Sequence, residues 1–288
     1  CILGILCCGF LIFSESLNDG QHQKMIRDSV EIYTGYLQIH AKGYHDQPTE
    51  QNLLYNMDTF PLNLNTVKGI DAITYRLEKP VLYSGQERSL GGLLVGIQPE
   101  KEAQISRIKK GLTQGRFLTQ SDTNGIYIGE QMTQRLHIDL GDTLILISSA
   151  LDGSMAVNHL VVKGTFQTNF FDFDNRVGFV NLDWMQNEFL APHTISHIII
   201  QPNAIQSVET LKKHLQSQLN PHLIEIMTWK ELMKSFVAFV ELDQISGTIT
   251  VFILLIVVFF CFDDFFDYYA LSTNSRNWHH AGFRHTKR

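Results

Sequence analysis

Ile245-Ser-Gly-Thr-Ile-Thr-Val-Phe-Ile-Leu-Leu-Ile-Val-Val-Phe-Phe-Cys-Phe262 carries no charged side chain. A run of this length crosses a hydrocarbon layer of about 30 Å as a helix, and a helix satisfies the backbone groups that lipid leaves without water. A helix buried in a soluble core would show a polar face. Here the polar side chains Ser246, Thr248 and Thr250 gather at the entrance instead. The expectation is a transmembrane helix over 245–262.

A second apolar run, Cys1 to Phe13, opens the chain and is too short to span. It reads as the latter part of a first transmembrane helix, 1–13. A cleaved signal peptide competes with that reading, but no basic stretch precedes the run and no small-x-small site follows it at Phe13-Ser-Glu-Ser-Leu-Asn-Asp-Gly20. Residues 14–35 are expected to continue as an amphipathic stalk helix with Ile26, Val30, Ile32 and Tyr33 as its apolar positions.

Residues 36–227 form the bulk of the chain and have the mixed character of a folded α+β domain. The formal net charge of −6 and the lack of basic runs interleaved with aromatics argue against a nucleic-acid partner. All 4 cysteines, Cys1, Cys7, Cys8 and Cys261, lie in the apolar ends, so the middle holds no internal disulfide. That pattern is compatible with a periplasmic domain.

Periodicity and punctuation supply the elements. Strands are expected at Tyr36–His40, Ala72–Leu77, Leu93–Ile97, Val177–Leu182 and Ile195–Ile200. Pro99 to Gly111 begins with proline, carries acids in its first turn and bases in its last, and predicts one helix. Gly125–Gly129, Glu130–Leu136 and His137–Leu146 read as a strand-helix-strand unit, with a turn at Gly141-Asp142. Asp152-Gly153 reads as a hairpin turn before His159–Gly164. Thr228-Trp-Lys-Glu231 has the form of a capping box. It opens a second stalk helix, 228–244, expected to pass through Phe236 and Val240 straight into the membrane.

Tyr33-Thr-Gly-Tyr-Leu-Gln-Ile-His-Ala-Lys-Gly-Tyr44, Val95-Gly-Ile-Gln-Pro99, Gly115-Arg-Phe-Leu118, Tyr127-Ile-Gly-Glu130, Leu140-Gly-Asp142 and Val162-Lys-Gly-Thr165 follow one another in order. In that order and spacing they resemble the extracytoplasmic domain of FtsX-like, MacB-type ABC transporter permeases, and more closely the lipoprotein-releasing (LolC/LolE-like) branch. The resemblance covers the chain from Gly9 to about Phe260. It implies an α+β MacB-type periplasmic core domain inserted between two transmembrane helices.

Two departures stand out. At Phe166-Gln-Thr-Asn-Phe-Phe-Asp172 the family's glycine is replaced by Asn169, which can take the same left-handed conformation. After the span, the family continues with a string of the type ERTREIGTMRALG and two more spans. This chain instead runs Cys261-Phe-Asp-Asp-Phe-Phe-Asp267 and ends in a tail rich in Trp, His and Arg. A shifted reading frame accounts for the difference. Trp278-His279 forces glycine in the shifted frame, and the neighbouring residue pairs admit RTREIGTMRA at every position. The segment 263–288 is therefore read as an aberrant tail, out of frame from a slip between about Val258 and Thr273.

Other chemistries find little footing. His279, His280 and His285 lack a ligand-forming spacing and an added carboxylate or cysteine. His40, His45, His137, His159, His193, His197, His214 and His222 read as surface histidines, and the His193/His197 pair flanks a strand start where such spacing does not converge. There is no phosphate-binding loop of the G-x-x-x-x-G-K-[ST] type and no G-x-S-x-G elbow. Asp172 and Asp174, placed on one strand face beside Phe170, Phe171 and Phe173, read as a loop cap or solvated edge and not as an acid/base pair. The aromatics read first as packing, with contact to apolar cargo as the alternative. No catalytic, cofactor-binding or metal residue is assigned, and the protein is read as no enzyme.

The resemblance implies a permease subunit in the bacterial inner membrane, multi-pass, with its main domain periplasmic. It would couple ATP hydrolysis on a cytoplasmic ATP-binding subunit to movement of that domain, beside a second permease subunit in a homo- or heterodimer, in contact with membrane lipid. Cargo would be a lipoprotein, an exported peptide or drug, or nothing. A membrane-anchored sensor or binding domain without transport activity is the alternative.

Overall fold

The computed structural model describes residues 9, 13, 16, 20–57, 60–168 and 170–281, with side chains described as far as residue 260. The expected helix over 1–13 therefore lies outside the described residues except at Gly9 and Phe13, as does Asn169. Two compact units emerge: Ile26–Met233, and Cys1–Met25 together with Lys234–Arg288.

Ile26–Met233 is α+β. Helix α1, residues 20–29, widens into a π-turn at Val30–Thr34. There follow β1 (Leu37–Ala41), β2 (Ile70–Ser84), β3 (Ser89–Ile97), α2 (Pro99–Ile105), β4 (Leu112–Gly115), β5 (Gly125–Gly129), α3 (Glu130–Leu136) and β6 (Thr143–Ser149). Next come β7 (Met155–Phe166), α4 (Phe171–Asp174), β8 (Val177–Asn181), α5 (Leu182–Glu188), β9 (His197–Pro202), α6 (Val208–Gln218), β10 (Ile224–Thr228) and α7 (Trp229–Leu232).

The strands join in one sheet of order β10-β1-β9-β2-β3-β8-β5-β7-β4, with β6 bonded to both β2 and β7. Those last two pairings close a circuit, β2-β3-β8-β5-β7-β6, back onto β2. Val95, Ile97, Tyr127, Phe166 and Phe179 are among the buried residues of one hydrophobic cluster, and Tyr127, Phe166 and Phe179 pack as tilted rings at centroid distances of 5.1 and 5.6 Å.

Strand β2 is the shared member. Its first half pairs with β9 as far as Arg76, and its last residues pair with β6 from Leu82. It runs well beyond the expected Ala72–Leu77 because Pro80, which looks like a strand breaker, sits where it does no harm. The Gly85 N–H to Arg88 bond sets the phase of the β2–β3 hairpin. In that phase Pro80 turns its missing N–H away from β3, into the gap between β9 and β6. The Pro80 carbonyl, on the same side, accepts from Ser148 Oγ at 2.9 Å.

Other expectations need correction. The single helix over 99–111 is two pieces: α2 ends at Ser106, in extended backbone, and a 3-10 turn follows at Ile108–Gly111. Arg107 between them is drawn aside by a 2.7 Å bond from its N–H to the Glu31 carbonyl. The strand-helix-strand unit, by contrast, is present as β5, α3 and β6, its strands joined through β7, β5 in parallel and β6 antiparallel. Asp172 and Asp174 lie in the helical turn α4 and not on a strand. The capping box at Thr228 is present, but its helix stops at Met233 (φ −112°, ψ 45°) and does not run on unbroken.

In the other unit, α8 (Lys234–Ala281) is continuous, with no change of backbone at 245 or 263. Lys234–Phe260 is long and apolar enough to cross a membrane, the one such helix among the described residues.

Candidate functional site

Alternation along β2 puts Thr74, Arg76 and Glu78 on one face. A face of that kind normally meets solvent, but α2 covers it. Arg76 and Glu102 are each wholly buried. Arg76 Nε donates to Glu102 Oε2 at 3.1 Å and Nη2 to Oε1 at 2.6 Å, a bidentate fork of the strongest common kind. The remaining arm, Nη1, donates to the Tyr33 carbonyl at 2.6 Å, and the guanidinium lies 4.1 Å from the Tyr33 ring centroid. Burial opposes the Arg76 charge, but Glu102, Tyr33 and Glu78 together outweigh it and hold the pKa above its ordinary value.

The anchor reaches the end of α1 at several points. A helix C-terminus presents unpaired carbonyls with partial negative charge, and here two cations meet it. Arg76 takes the Tyr33 carbonyl. Arg107 bonds the Glu31 and Asp28 carboxylates through Nε, at 2.6 Å, and Nη1. Tyr36 Oη donates to Glu31 at 3.1 Å, and the Trp229 N–H donates to the Tyr36 carbonyl at 3.0 Å, which ties the start of α7 to the same place. Burial and then Glu31 push the Tyr36 phenol up to about 12.

Gly35 makes this junction possible. Its φ is +71°, and a Cβ there would stand 2.3 Å from Ile199 Cγ2 on β9. Only glycine meets both demands without strain.

Beside the fork lies a second polar cluster. Glu78 accepts from Tyr33 Oη and from Tyr44 Oη, the latter at 3.1 Å, while its N–H donates to Ser196 Oγ at 2.8 Å. Burial, then Glu78, raises the phenols of Tyr33 and Tyr44 well above their usual range. His197 Nε2 stands 3.7 Å from Glu78 Oε1, too far for a hydrogen bond. Burial outweighs Glu78 and lowers the His197 pKa to about 4, so the imidazole is neutral at pH 7 and the approach is not an ion pair. His40, directly opposite His197 across β1 and β9, is lowered too, by burial. These two histidines, at 1% and 3% exposure, correct the expectation that they lie on the surface.

Among the described residues no group of three or more His, Cys, Asp or Glu side chains is placed to hold a metal. Asp174 is fully buried and accepts from the Thr168 N–H at 3.0 Å and from Thr168 Oγ1 at 2.7 Å, so it caps a loop. Phe173 packs on the core cluster, whereas Phe170 and Phe171 are exposed. A recess of about 40 Å³ between Tyr44, Glu50, Lys79 and Phe189 has the size for water alone. Wider recesses, of about 430 and 490 Å³, open beside α3 and between α6 and β10. The buried groups are arranged to hold one element against another; they do not present a nucleophile and base to a substrate.

Fold and anchor together define an α+β domain braced by a buried ion pair. The fold is similar to the periplasmic region of MacB from Actinobacillus actinomycetemcomitans, with a TM-score of 0.51 at 16% identity over 72% of this chain and 94% of that one. The extracellular domain of the ABC-type transporter YknZ from Gram-positive bacteria matches with a TM-score of 0.46 at 12% identity, over 66% of this chain and 100% of that one. A domain of a permease protein from Porphyromonas gingivalis gives 0.35 at 12%, over 67% and 86%. No curated protein matches by sequence. Residues 3–218 match the MacB-like periplasmic core domain, and the chain belongs to that family. It is thus a component of an ABC transporter system of the permease type, anchored in a membrane with its domain outside the cytoplasm, and not an enzyme.

One of the motif glycines has a steric reason. At Gly129, in the Tyr127-Ile-Gly-Glu130 motif, a Cβ would fall 1.9 Å from the Asp174 carbonyl oxygen, so α4 closes on β5 only over glycine.

Proposed function

We propose that the chain is the permease subunit of an inner-membrane ABC transporter that turns ATP hydrolysis by a separate cytoplasmic subunit into movement of its periplasmic domain. The observation that supports this reading is the buried fork of Arg76 on Glu102 and on the Tyr33 carbonyl, which grips the end of the N-terminal helix. A helix held this firmly at its domain end passes a rotation or tilt into the sheet without loss. In this reading 14–35 and 228–244 are the stalks, the second interrupted at Met233, and 36–227 is the moving domain.

The subunit works beside a second permease subunit, like or unlike, in contact with lipid. A lipoprotein is the favoured cargo, on the resemblance to the lipoprotein-releasing branch, and the exposed Phe170 and Phe171 offer it apolar contact. The tail 263–288 is out of frame, and in the intact gene the in-frame sequence carries an RTREIG-type segment and two further spans.

The test is the genomic nucleotide sequence from codon 250 to well beyond codon 288, followed by ATPase assays of the intact permease with its ATP-binding subunit. A second frame opening onto RTREIG-like sequence and two spans, with ATP turnover that responds to the permease, supports the reading. A confirmed printed frame with no further spans overturns it in favour of an anchored sensor or binding domain.

A further inference from the structure

In the unit formed by the two ends of the chain, one residue of the polar stretch Gly20-Gln-His-Gln-Lys24 is buried: His22, at 4% exposure. Its Nε2 lies 2.6 Å from Oδ2 of Asp243 on α8. The partners are 221 positions apart in sequence. Asp243 stands two positions before Ile245, where the charge-free run begins, and Val240, one turn earlier on α8, is likewise buried. The neighbouring charges, Lys24 and Glu241, face solvent and have no such partner among the bonds described.

We propose that His22 and Asp243 form a clasp that binds the two helices at the membrane surface into one body. The inference rests on the permease reading only for its role, not for its existence. A contact of 2.6 Å between an imidazole and a carboxylate is directional and short. Sliding one helix past the other by a single residue, about 1.5 Å, stretches it, and a full-turn slip of about 5.4 Å is far beyond its reach. Joint tilting or rotation of the pair leaves it intact. The clasp therefore selects rigid-body movement over shear, and His22 and Asp243 are positioning residues.

The experiment uses the intact in-frame permease in membrane vesicles, with its native cysteines changed to serine. His22→Cys with Asp243→Cys is treated with a short bismaleimide, and an intramolecular cross-link in most chains is expected. Absence of the cross-link overturns the clasp, whatever the protein's function. The cross-linked chain is then combined with the ATP-binding subunit. Rigid-body movement predicts that permease-dependent ATP turnover survives locking, while its loss on locking shows that the contact must open and overturns the proposal. Asp243→Asn and His22→Asn should each weaken the coupling by about fivefold or more, and the exchange His22→Asp with Asp243→His should restore it. Unchanged coupling in both single variants overturns the proposed role. A purely structural pair would instead lower the thermal midpoint of residues 26–233, which these variants should leave alone. Failure of the permease reading is recognised separately, by unlocked parent chain that never alters ATP turnover.

Discussion

Arg76 sits over the ring of Tyr33 and also donates to that residue's carbonyl, so one side chain of β2 holds both the ring and the backbone of the π-turn that ends α1. Glu102 fixes the guanidinium from the other side. Three elements distant in sequence thus share one ionic contact from which water is excluded.

Arg76→Ala leaves Glu102 charged in a closed site, and breaking such a pair costs about 3–5 kcal/mol. Arg76→Lys keeps the charge but cannot fork onto a carboxylate and reach the Tyr33 carbonyl together, so it recovers only part of the loss. Arg76→Met with Glu102→Leu removes both charges and should be more stable than Arg76→Ala alone. Denaturant midpoints of the four proteins check the order.

His197 imposes a pH dependence. Free in an unfolded chain it binds a proton below about 6.5; folded, it does so only near pH 4, because burial lowers its pKa to about 4. The unfolded state therefore holds more protons between these values, and stability falls as pH drops through the window, levelling out below it. The loss amounts to about 3 kcal/mol. His197→Leu should flatten that part of the stability profile, and equal slopes in parent and variant would contradict the assignment.

Gly35→Ala should destabilise the domain by about 1–3 kcal/mol from the positive-φ, extended-ψ backbone alone, with more from the collision with Ile199 Cγ2. The collision term can be separated. In a double-mutant cycle with Ile199→Ala it appears as a favourable coupling, while the backbone term remains.

Asp174→Ala removes the acceptor for the Thr168 N–H and hydroxyl, with a cost of about 1–3 kcal/mol for the unpaired group. Hydrogen exchange at Thr168 should accelerate by more than exchange in β1, which the same substitution leaves untouched.

What sequence revealed depended on how local each signal was. The capping box at Thr228, the hairpin at Asp152-Gly153 and the strand Gly125–Gly129 depend on near neighbours, and all are present. The anchor depends on distant ones. Glu102 sits in Pro99-Glu-Lys-Glu102, which looks like a solvated helix start, and Thr74, Arg76 and Glu78 look like the wet side of a strand. Only the cover provided by α2 and the end of α1 turns these residues inward. His40 and His197 were misplaced for the same cause: each is buried by a pairing between positions 40 and 197 that no local pattern announces. An alternating Thr-x-Arg-x-Glu face on a strand whose neighbours are otherwise apolar was the one available hint.

β1, among the earliest strands in the chain, lies between β9 and β10, which are the last, with Leu37 opposite both Ile200 and Thr228. During vectorial export it must wait with both edges bare until nearly the whole domain has emerged. Pairings of such long sequence separation form slowly, and an unpaired edge is open to the wrong neighbour. Until Thr228 has arrived, newly made copies of this domain consequently leave that strand open to whatever surrounds it.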